Sequence, residues 1–326
     1  MKHPRVLFLF FVPLLCSPAQ TLPPLRAAGN LTTIELSPLL VAADGTYPGQ
    51  ISVINGGIPA IMNGSVDVAT NAETQLLRQS VDDPDLRVIF TMAESFYRIV
   101  ARRTAGIRSV SDLKGKRITT PRNTSAHYFL VKMLATAKLS ESDVTLVDIT
   151  PQMEMSVALR DGRVDAVAMW EPEAERAIAA VGRDAVVLQD RRVYRELFNL
   201  NTSAKVLADP DKRHAIVELL RSLIASSRHL QQRPREYWPL ISSKLNYSPD
   251  LIAKSWPNLR YAGGLSDDLL DVMEIEERWV AQERNRVPRP RAQLAHLIDR
   301  SLLDEANHRP IDVARQSTSA VSPQKP

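Results

Sequence analysis

Two short segments with the same pattern constrain the fold of this chain more than any other feature of its sequence. Residues 63–67 read NGSVD and residues 161–165 read DGRVD, and each stands between an apolar helical segment and an apolar strand segment. Glycine often ends a helix because it adopts the left-handed conformation at no steric cost. Two copies of one helix, glycine and strand unit predict two similar α/β lobes.

Alternating strand and helix segments surround both copies. Strands are predicted at residues 25–28, 50–54, 66–69 and 86–91 in the first series, and at 117–120, 145–147, 164–169 and 185–188 in the second. Such alternation is typical of a mostly parallel sheet flanked by helices. After Asp209 apolar residues recur at helical spacing, as in Ile216, Leu219, Leu220, Leu223, Ser227 and Leu230. The predicted fold is α/β with two lobes and a helical C-terminal region.

The segment from residue 107 to residue 137 predicts an anion-binding loop. A strand at 117–120 is followed by a loop, and an amphipathic helix begins at Ser125. The N-terminus of a helix carries unpaired N–H groups and a partial positive charge, and the hydroxyls of Thr124 and Ser125 stand beside it. Such hydroxyls also cap helices that bind nothing, so capping is the alternative interpretation.

The repeat places further residues at the same cleft. Ligands of open α/β sheets bind outside the carboxyl ends of the strands. Asn71 and Ala72 follow the repeated strand in the first series, and Trp170 follows it in the second. Trp170 offers an apolar wall with one donor, and Glu171 offers an acceptor. The alternative is that Trp170 packs in the core and Glu171 only favours the helix dipole.

Composition excludes several classes of protein. The chain has 326 residues, of which 44% are hydrophobic and 24% charged, so it can bury the core of one large or two medium domains. Its net charge is +4, and its basic residues are scattered rather than arranged in a stripe with aromatic residues. We therefore expect no nucleic acid partner.

The two ends of the chain predict export and a disordered tail. Lys2 and Arg5, an apolar run and small residues up to Ala19 predict a signal peptide at residues 1–19. The one cysteine, Cys16, lies inside it, so the exported chain would have no thiol, disulfide or sulfur-ligated metal. A lipid anchor at this cysteine is the alternative. Residues 307–326 lack hydrophobic periodicity and predict a disordered tail.

The runs SDLKGKRITTPRNTSAHYFL and DGRVDAVAMWEP, set in two α/β series of an exported chain, resemble the substrate-binding proteins of bacterial ABC importers. The branch to which they are most similar serves sulfonates, taurine and nitrate, and is related to pyrimidine-precursor binding proteins. The resemblance spans residues 31–201. It implies a hinged, two-lobed periplasmic-binding-protein fold whose cleft closes on a small solute and presents it to a permease in the inner membrane.

The resemblance also implies domain boundaries and site residues. Lobe 1 would comprise residues 20–97 and 201–306, and lobe 2 residues 98–200. The sequence departs from the family pattern at residues 25–47, where the first strand, loop and helix are abbreviated. The implied ligand-binding residues are Ser37, Asn71, Ala72, Ser95, Asn123, Thr124, Ser125, His127, Trp170 and Glu171.

The leading hypothesis is a periplasmic, monomeric receptor that captures a small anionic organic solute, such as a sulfonate, without cofactor, metal or catalysis. Relatives of this family include a desulfinase and a pyrimidine synthase, so an enzyme on the same scaffold is one alternative. A desulfinase of that kind needs a cysteine nucleophile. The sequence offers His127, but no nucleophile and base that would form a catalytic set with it. A sensory receptor would use the same cleft with a different partner surface and is the other alternative.

Overall fold

The computed structural model describes residues 22–308. The predicted signal peptide and most of the predicted tail lie outside the described residues, while residues 307 and 308 belong to the final helix. Within this range the chain forms eleven strands: β1 Leu25–Gly29, β2 Ile51–Asn55, β3 Val68–Ala72, β4 Leu86–Ser95, β5 Arg98–Arg102, β6 Arg117–Thr119, β7 Thr145–Leu146, β8 Ala166–Met169, β9 Ala185–Leu188, β10 Glu196–Ser203 and β11 Leu259–Arg260.

The α-helices flank these strands and dominate the last third of the described chain. None of the helices in residues 22–308 is both long and apolar enough to cross a bilayer. They are α1 Ser37–Val41, α2 Pro59–Met62, α3 Glu73–Gln79, α4 Ser125–Thr136, α5 Glu154–Arg160, α6 Glu173–Val181, α7 Ala204–Leu207, α8 Pro210–Gln232, α9 Pro234–Leu245, α10 Pro249–Ser255, α11 Leu269–Glu283, α12 Arg291–Ala295 and α13 Ser301–His308.

The strands form two mixed sheets. The first has the order β11-β4-β10-β3-β1-β2 and the second the order β7-β6-β8-β5-β9. Around β1 and β6 the pairs are parallel, whereas β10 and β5 run antiparallel to both of their neighbours. The predicted α/β fold with two lobes and a helical C-terminal region is confirmed. The sheets are less parallel than expected, because each contains a strand that arrives from the other sheet. Strand β5 enters the second sheet and β10 enters the first, and each runs antiparallel to both of its neighbours.

The chain passes between the sheets at residues 96–97 and 189–195, which join β4 to β5 and β9 to β10. The family resemblance implies crossings at residues 95–100 and 198–203. The second of these is wrong, because residues 198–203 lie inside β10. The side-chain amides of Asn199 and Asn201 form hydrogen bonds within the sheet. Asn199 Oδ1 accepts a hydrogen bond from the Thr91 hydroxyl at 2.9 Å, and Asn201 Nδ2 donates to the Ala69 carbonyl at 3.2 Å. Buried amides are tolerated when they are bonded in this way.

The repeated segments take the same structure in both sheets. The glycines that follow α2 and α5 have φ angles of 75° and 72°, the left-handed region that glycine favours. After each glycine an aspartate ties two neighbouring strands together. Asp67 Oδ2 accepts from the Arg26 backbone N–H at 2.7 Å, and Asp165 Oδ2 accepts from the Arg117 backbone N–H at 3.0 Å. An aspartate thus recurs at this position because Asp67 joins β3 to β1 and Asp165 joins β8 to β6.

Two clusters of buried apolar side chains hold the sheets and helices together. The larger cluster extends through the first sheet, α4 and the C-terminal helices, and the smaller one lies between the second sheet, α5 and α6. Burial of apolar surface at about 25 cal/mol per Å² is the main stabilising contribution. The predicted stripe on α8 is confirmed, because all of its members are fully buried: Ile216, Leu219, Leu220, Leu223, Ser227 and Leu230.

Candidate ligand-binding cleft

A cavity of about 390 Å³ lies between the two sheets. One wall is formed by residues at the carboxyl ends of β1, β2 and β3, and the other by residues at the carboxyl ends of β6 and β8. This is where ligands bind in open α/β sheets, and the volume suits a small organic molecule. The cavity is lined by Asn30, Thr33, Glu35, Asn55, Gly56, Gly57, Pro59, Thr70, Asn71, Ala72, Gln75, Gln79, Tyr97, Pro121, Thr124, Ser125, Gln152, Trp170, Glu196 and Phe198.

In the first wall, the loop after β2 passes close to the end of β3. A Cβ atom at Gly57 would stand 2.6 Å from Asn71 Nδ2, so any larger residue would displace that amide. Asn71 Oδ1 accepts a hydrogen bond from the Ala72 backbone N–H at 3.1 Å, which fixes the orientation of the side chain. The absence of a side chain at Gly57 therefore leaves room for the Asn71 amide at the cavity wall.

In the second wall, the loop before α4 points the start of this helix at the cavity. Asn123 has a φ of 61°, in the left-handed region where asparagine is enriched, and the Thr124 hydroxyl donates to the Pro121 carbonyl at 2.7 Å. Helix α4 then begins at Ser125. Because the first N–H groups of a helix have no acceptor within it, the cavity faces donors and a partial positive charge here.

Aromatic rings line the cavity beside these polar groups. The ring centroid of Tyr97 lies 6.1 Å from that of Trp170 and 5.8 Å from that of Phe129. The Tyr97 hydroxyl is 2.9 Å from the Ser125 hydroxyl. Trp170 is half-buried, and its indole N–H has no hydrogen-bond partner among the described residues. Ring faces next to a free donor suit an alkyl or aromatic ligand body.

Two carboxyl groups also line the cavity, and both are buried. Glu35 is 1% exposed and Glu196 is 3% exposed. Burial raises the pKa of Glu35 to about 7; the nearby Ser95 hydroxyl opposes this rise and the Glu171 charge adds to it. Burial, together with the charges of Glu35 and Glu73, raises the pKa of Glu196 well above its usual range. The acidic groups of the cavity thus lack the solvation that normally keeps carboxylates ionised.

The structure brings five of the ten expected site residues together and places the other five outside the cavity lining. The lining residues are Asn71, Ala72, Thr124, Ser125 and Trp170. The remaining five are Ser37, Ser95, Asn123, His127 and Glu171.

The two serines outside the lining are fully buried in the first lobe. The Ser37 hydroxyl donates to the Ile34 carbonyl at 2.6 Å and so serves the local turn before α1. Ser95 lies behind the cavity near Glu35, and its hydroxyl makes no hydrogen bond of normal geometry with any described residue. Neither hydroxyl lies at the surface of the cavity.

His127 and Glu171 are engaged in contacts within the protein. His127 is 2% exposed; its Nε2 lies 2.6 Å from Glu141 Oε1, and its ring packs edge to face on Trp279 with 5.4 Å between centroids. Glu171 forms a buried ion pair with Arg98. These partners bind the His127 ring and one carboxyl oxygen of Glu171, Oε1, within the protein.

Asn123 instead joins the two walls of the cavity. Its backbone carbonyl accepts from Gln75 Nε2 at 2.8 Å, and its Oδ1 accepts from an Arg78 guanidinium nitrogen at 3.2 Å. A second bridge runs from the Thr33 hydroxyl to the Glu171 carbonyl at 3.4 Å. Since α3 belongs to the first sheet and α4 to the second, these bonds hold the lobes against each other.

Most residues of the first wall are absent from the set predicted from the sequence. Asn30 and the residues at 55–57 directly follow β1 and β2, so the carboxyl-end rule that selected Asn71 could have found them. Glu35 stands alone between apolar residues, which is a signal of a buried charge. Tyr97 lies in the first crossing between the sheets and Glu196 directly follows the second, and neither has a local sequence signal. No group of three or more His, Cys, Asp or Glu residues in the described part of the chain is arranged to hold a metal ion.

Sequence comparison relates this chain to solute-binding proteins. The model of the family described as NMT1/THI5 like matches residues 54–221, slightly more than half of the chain. Over 168 residues the chain is 25% identical to a protein of Escherichia coli (strain K12) that bears the name aliphatic sulfonates-binding protein. This match covers 48% of the present chain and 51% of that protein, so the chain spans about half the length of this curated relative.

Structure comparison finds the same fold in a binding protein and in an enzyme. The alkanesulfonate-binding protein SsuA from Xanthomonas axonopodis pv. citri, bound to MOPS, has a TM-score of 0.69 and 19% identity, covering 87% of this chain and 100% of that chain. The desulfurization enzyme DSZB has a TM-score of 0.65 and 16% identity, covering 88% of this chain and 99% of that chain. At these identities the two likenesses show the fold alone.

Proposed function

The chain belongs to the NMT1/THI5-like family, and on this premise we propose that it is the extracytoplasmic solute-binding receptor of an ABC importer. The solute is a small organic anion of the sulfonate type. The observation that carries the proposal is the cavity between the two sheets, faced by the N-terminus of α4 on one side and by the ends of β1 to β3 on the other.

The N-terminus of α4 is the place for the acid group of the solute. Its backbone N–H groups and the Ser125 hydroxyl supply donors, the Thr124 hydroxyl fixes the loop by donating to the Pro121 carbonyl, and the helix dipole favours a negative charge. Asn71 and Ala72 stand in the opposite wall, and Trp170 offers a ring face to the organic part. Hydrogen bonds made in a cleft that excludes water are stronger than those made in solution.

Closure of the lobes supplies the functional signal. The bonds from Gln75 and Arg78 to Asn123 cross the cleft, so they form only when the walls approach each other. A solute that contacts both walls binds the closed arrangement more tightly than the open one, and therefore shifts the protein towards the closed arrangement. A permease in the inner membrane then recognises the closed receptor and accepts the solute.

Export to the periplasm follows from the signal peptide expected at residues 1–19, and we propose that the receptor acts there as a monomer. The relative from Escherichia coli and the structural neighbour from Xanthomonas both carry names of sulfonate-binding proteins, which supports the same role for this chain. N-terminal sequencing of the exported protein tests the cleavage point.

We place binding, not turnover, in this cleft. A desulfinase of the kind considered above needs a cysteine nucleophile, and no cysteine or histidine side chain is among the described residues that line the cavity. The likeness to DSZB therefore supports a shared scaffold. Incubation of the purified protein with alkanesulfinates and alkanesulfonates, followed by a sulfite assay, tests this assignment. Release of more than one equivalent of sulfite would contradict it.

The binding role itself is tested by identifying the solute. Native mass spectrometry of gently purified protein should reveal a co-purified small acid, and calorimetry with alkanesulfonates of two to six carbons should give saturable binding at one site. A co-purified solute without an acid group, or a lack of binding by every sulfonate, would overturn the proposed ligand class.

A further inference from the structure

His127 contacts three neighbouring parts of the protein beside the cavity. Its side chain is buried, and its Nδ1 accepts a hydrogen bond from the Asn123 backbone N–H at 3.2 Å. Its Nε2 lies 2.6 Å from Glu141 Oε1, and its ring packs on Trp279 with 5.4 Å between centroids. Both ring nitrogens and the ring itself are thus engaged, so the side chain is held in a single orientation.

These partners also determine which ring nitrogen carries the proton. A backbone N–H can only donate, so Nδ1 of His127 must accept and carries no proton. The proton of the neutral ring then lies on Nε2, which donates to the carboxylate of Glu141. An imidazolium ring, or a ring protonated on Nδ1, would place two donors against each other at Asn123. The bond to Asn123 therefore requires the neutral ring with its proton on Nε2.

The bond from Asn123 holds a backbone turn that leaves the start of α4 uncapped. Asn123 has a φ of 61°, a conformation that asparagine adopts more readily than most residues but that still needs support. In a capping box, the threonine before a helix and the side chain three residues later both accept from backbone N–H groups of the first turn. Here the Thr124 hydroxyl donates to the Pro121 carbonyl instead, and His127 accepts from the N–H one residue before Thr124. Because the Thr124 side chain accepts from no N–H of α4, these groups stay available to an anion.

The same turn contacts the opposite wall of the cleft. The backbone carbonyl and Oδ1 of Asn123 accept hydrogen bonds from Gln75 and Arg78 of α3. The Arg78 guanidinium also lies 5.1 Å from the ring centroid of Trp279, which belongs to α11, and α11 packs against α3. His127 therefore bonds to the turn through Nδ1 and touches the opposite wall through Trp279. A change in its hydrogen bonding would alter the anion site and the contact between the walls together.

We propose that neutral His127, with its proton on Nε2, is a positioning residue of the receptor. It holds the Asn123 turn so that α4 presents free N–H groups to the solute and Asn123 presents two acceptors to the opposite wall. Glu141 takes part by accepting the hydrogen bond from Nε2, which keeps Nδ1 an acceptor. The inference rests on the proposed function, since it assigns a residue that serves the same cleft without lining it.

Two substitutions separate the hydrogen bond of His127 from its packing. Asparagine can place its side-chain oxygen near the position of Nδ1 but lacks the ring, whereas phenylalanine keeps a ring on Trp279 but cannot accept a hydrogen bond. Stopped-flow experiments measure the release of the alkanesulfonate, of two to six carbons, that the wild type binds most tightly. Release should be about tenfold faster in His127→Phe and within about threefold of the wild type in His127→Asn. Equal rates in the three proteins, or faster release from His127→Asn than from His127→Phe, would show that the ring only fills space and would overturn the inference.

Hydrogen exchange tests the turn in the ligand-free protein. Because the Asn123 N–H is bonded to Nδ1, it should exchange about tenfold faster in His127→Phe than in the wild type, while His127→Asn should stay within about threefold. Urea unfolding of both variants reports the loss of packing separately. Exchange rates that followed the global stability of the variants, and not the presence of an acceptor at residue 127, would contradict the positioning role.

NMR of the wild-type protein with isotope-labelled histidine tests the tautomer without any change in the core. The signal of His127 is identified by Glu141→Gln, which changes a side chain that is 34% exposed and removes the charge beside Nε2. Glu154→Gln changes a side chain that is 46% exposed and should shift no histidine signal. At neutral pH, Nδ1 of His127 should be unprotonated and Nε2 protonated. A protonated Nδ1, or the lack of any histidine signal that responds to Glu141→Gln, would refute the assigned tautomer and with it the inference.

These outcomes are distinct from a failure of the proposed function. If no alkanesulfonate binds the wild type while the exchange and NMR results are as expected, the proposed ligand class is refuted and the role of His127 in holding the turn is supported. If sulfonates bind but their release does not respond to His127→Phe, the receptor role stands and the inference falls.

Discussion

Replacing Glu35 with glutamine should change how the stability of the ligand-free protein depends on pH. Burial raises the pKa of Glu35 from its usual 4.5 to about 7. Between these two pH values the folded chain holds a proton that the unfolded chain has released. The contribution of Glu35 to the free energy of unfolding is therefore largest below pH 4.5 and falls as the pH rises through this window. Glutamine does not titrate, so the variant lacks this contribution.

The expected size of the effect follows from the same pKa values. A rise from 4.5 to about 7 corresponds to about 3 kcal/mol, at about 1.4 kcal/mol for each tenfold change in an equilibrium constant. Relative to Glu35→Gln, the wild-type protein should lose about this much stability between pH 4 and pH 8. Urea unfolding followed by circular dichroism measures both proteins at each pH. Glu171, whose pKa burial also raises to about 7, is present in both proteins, so it enters the difference only through its charge interaction with Glu35.

A surface carboxyl provides the matched control for this experiment. Glu154→Gln changes a side chain that is 46% exposed, and its stability should follow that of the wild type across the pH range. A difference between wild type and Glu35→Gln that stayed constant from pH 4 to pH 8 would refute the conclusion that Glu35 is buried without a compensating charge.

Three further predictions concern the cleft and the repeated unit. The double variant Thr124→Ala and Ser125→Ala should weaken sulfonate binding by about 1–3 kcal/mol in calorimetry, since it removes hydroxyls beside a charged group; unchanged affinity would move the acid group away from α4. The double variant Gln75→Ala and Arg78→Ala removes both side-chain bonds to the loop before α4 and should speed ligand release about tenfold in stopped-flow experiments. An unchanged rate would show that these bonds do not hold the closed lobes. For Asp165, burial alone would raise the pKa, but hydrogen bonds from arginine hold it at about 2. Asp165→Asn should therefore cost about 2 kcal/mol of stability at pH 7, a loss that urea unfolding should show shrinking as the pH falls from 4 towards 2. A loss that did not depend on pH would argue against this ion pair.

The lobes were predictable from the sequence because their signals are local. A helix, a glycine and a strand can be recognised within ten residues, and the recurrence of Asp67 as Asp165 marks the same strand connection in both sheets. The α8 stripe is likewise set by the helical period alone. These features depend on neighbours in the sequence and little on the rest of the chain.

Strand β10 was not predictable in this way. Its segment contains Asn199, Asn201 and Ser203, which are unfavourable in strands and favour turns. In the protein the two asparagines bond to β3 and β4 or within β10 itself. Only the assembled sheet provides some of these partners, so the tertiary structure overrides the local preference.

Only part of the cavity lining could be predicted from the sequence, because some of its residues have local signals and others depend on the tertiary structure. Residues that directly follow strands, such as Asn71 and Trp170, are found by the carboxyl-end rule. Glu35 reaches the cavity from the short helical turn before α1, and Glu196 reaches it from the first position of β10. Nothing in the local sequence relates the two, because their proximity depends on how β10 inserts between β3 and β4.

The position of β10 also determines the order in which the two sheets can be completed while the chain is synthesised from its N-terminus. The second sheet is built from one continuous stretch, β5 to β9, and can be completed as soon as residue 188 has emerged. The first sheet has a gap between β3 and β4 until residues 196–203 arrive. The lobe that is begun first is therefore finished last, and its early strands must wait with open edges that a chaperone or the nascent second lobe can shield.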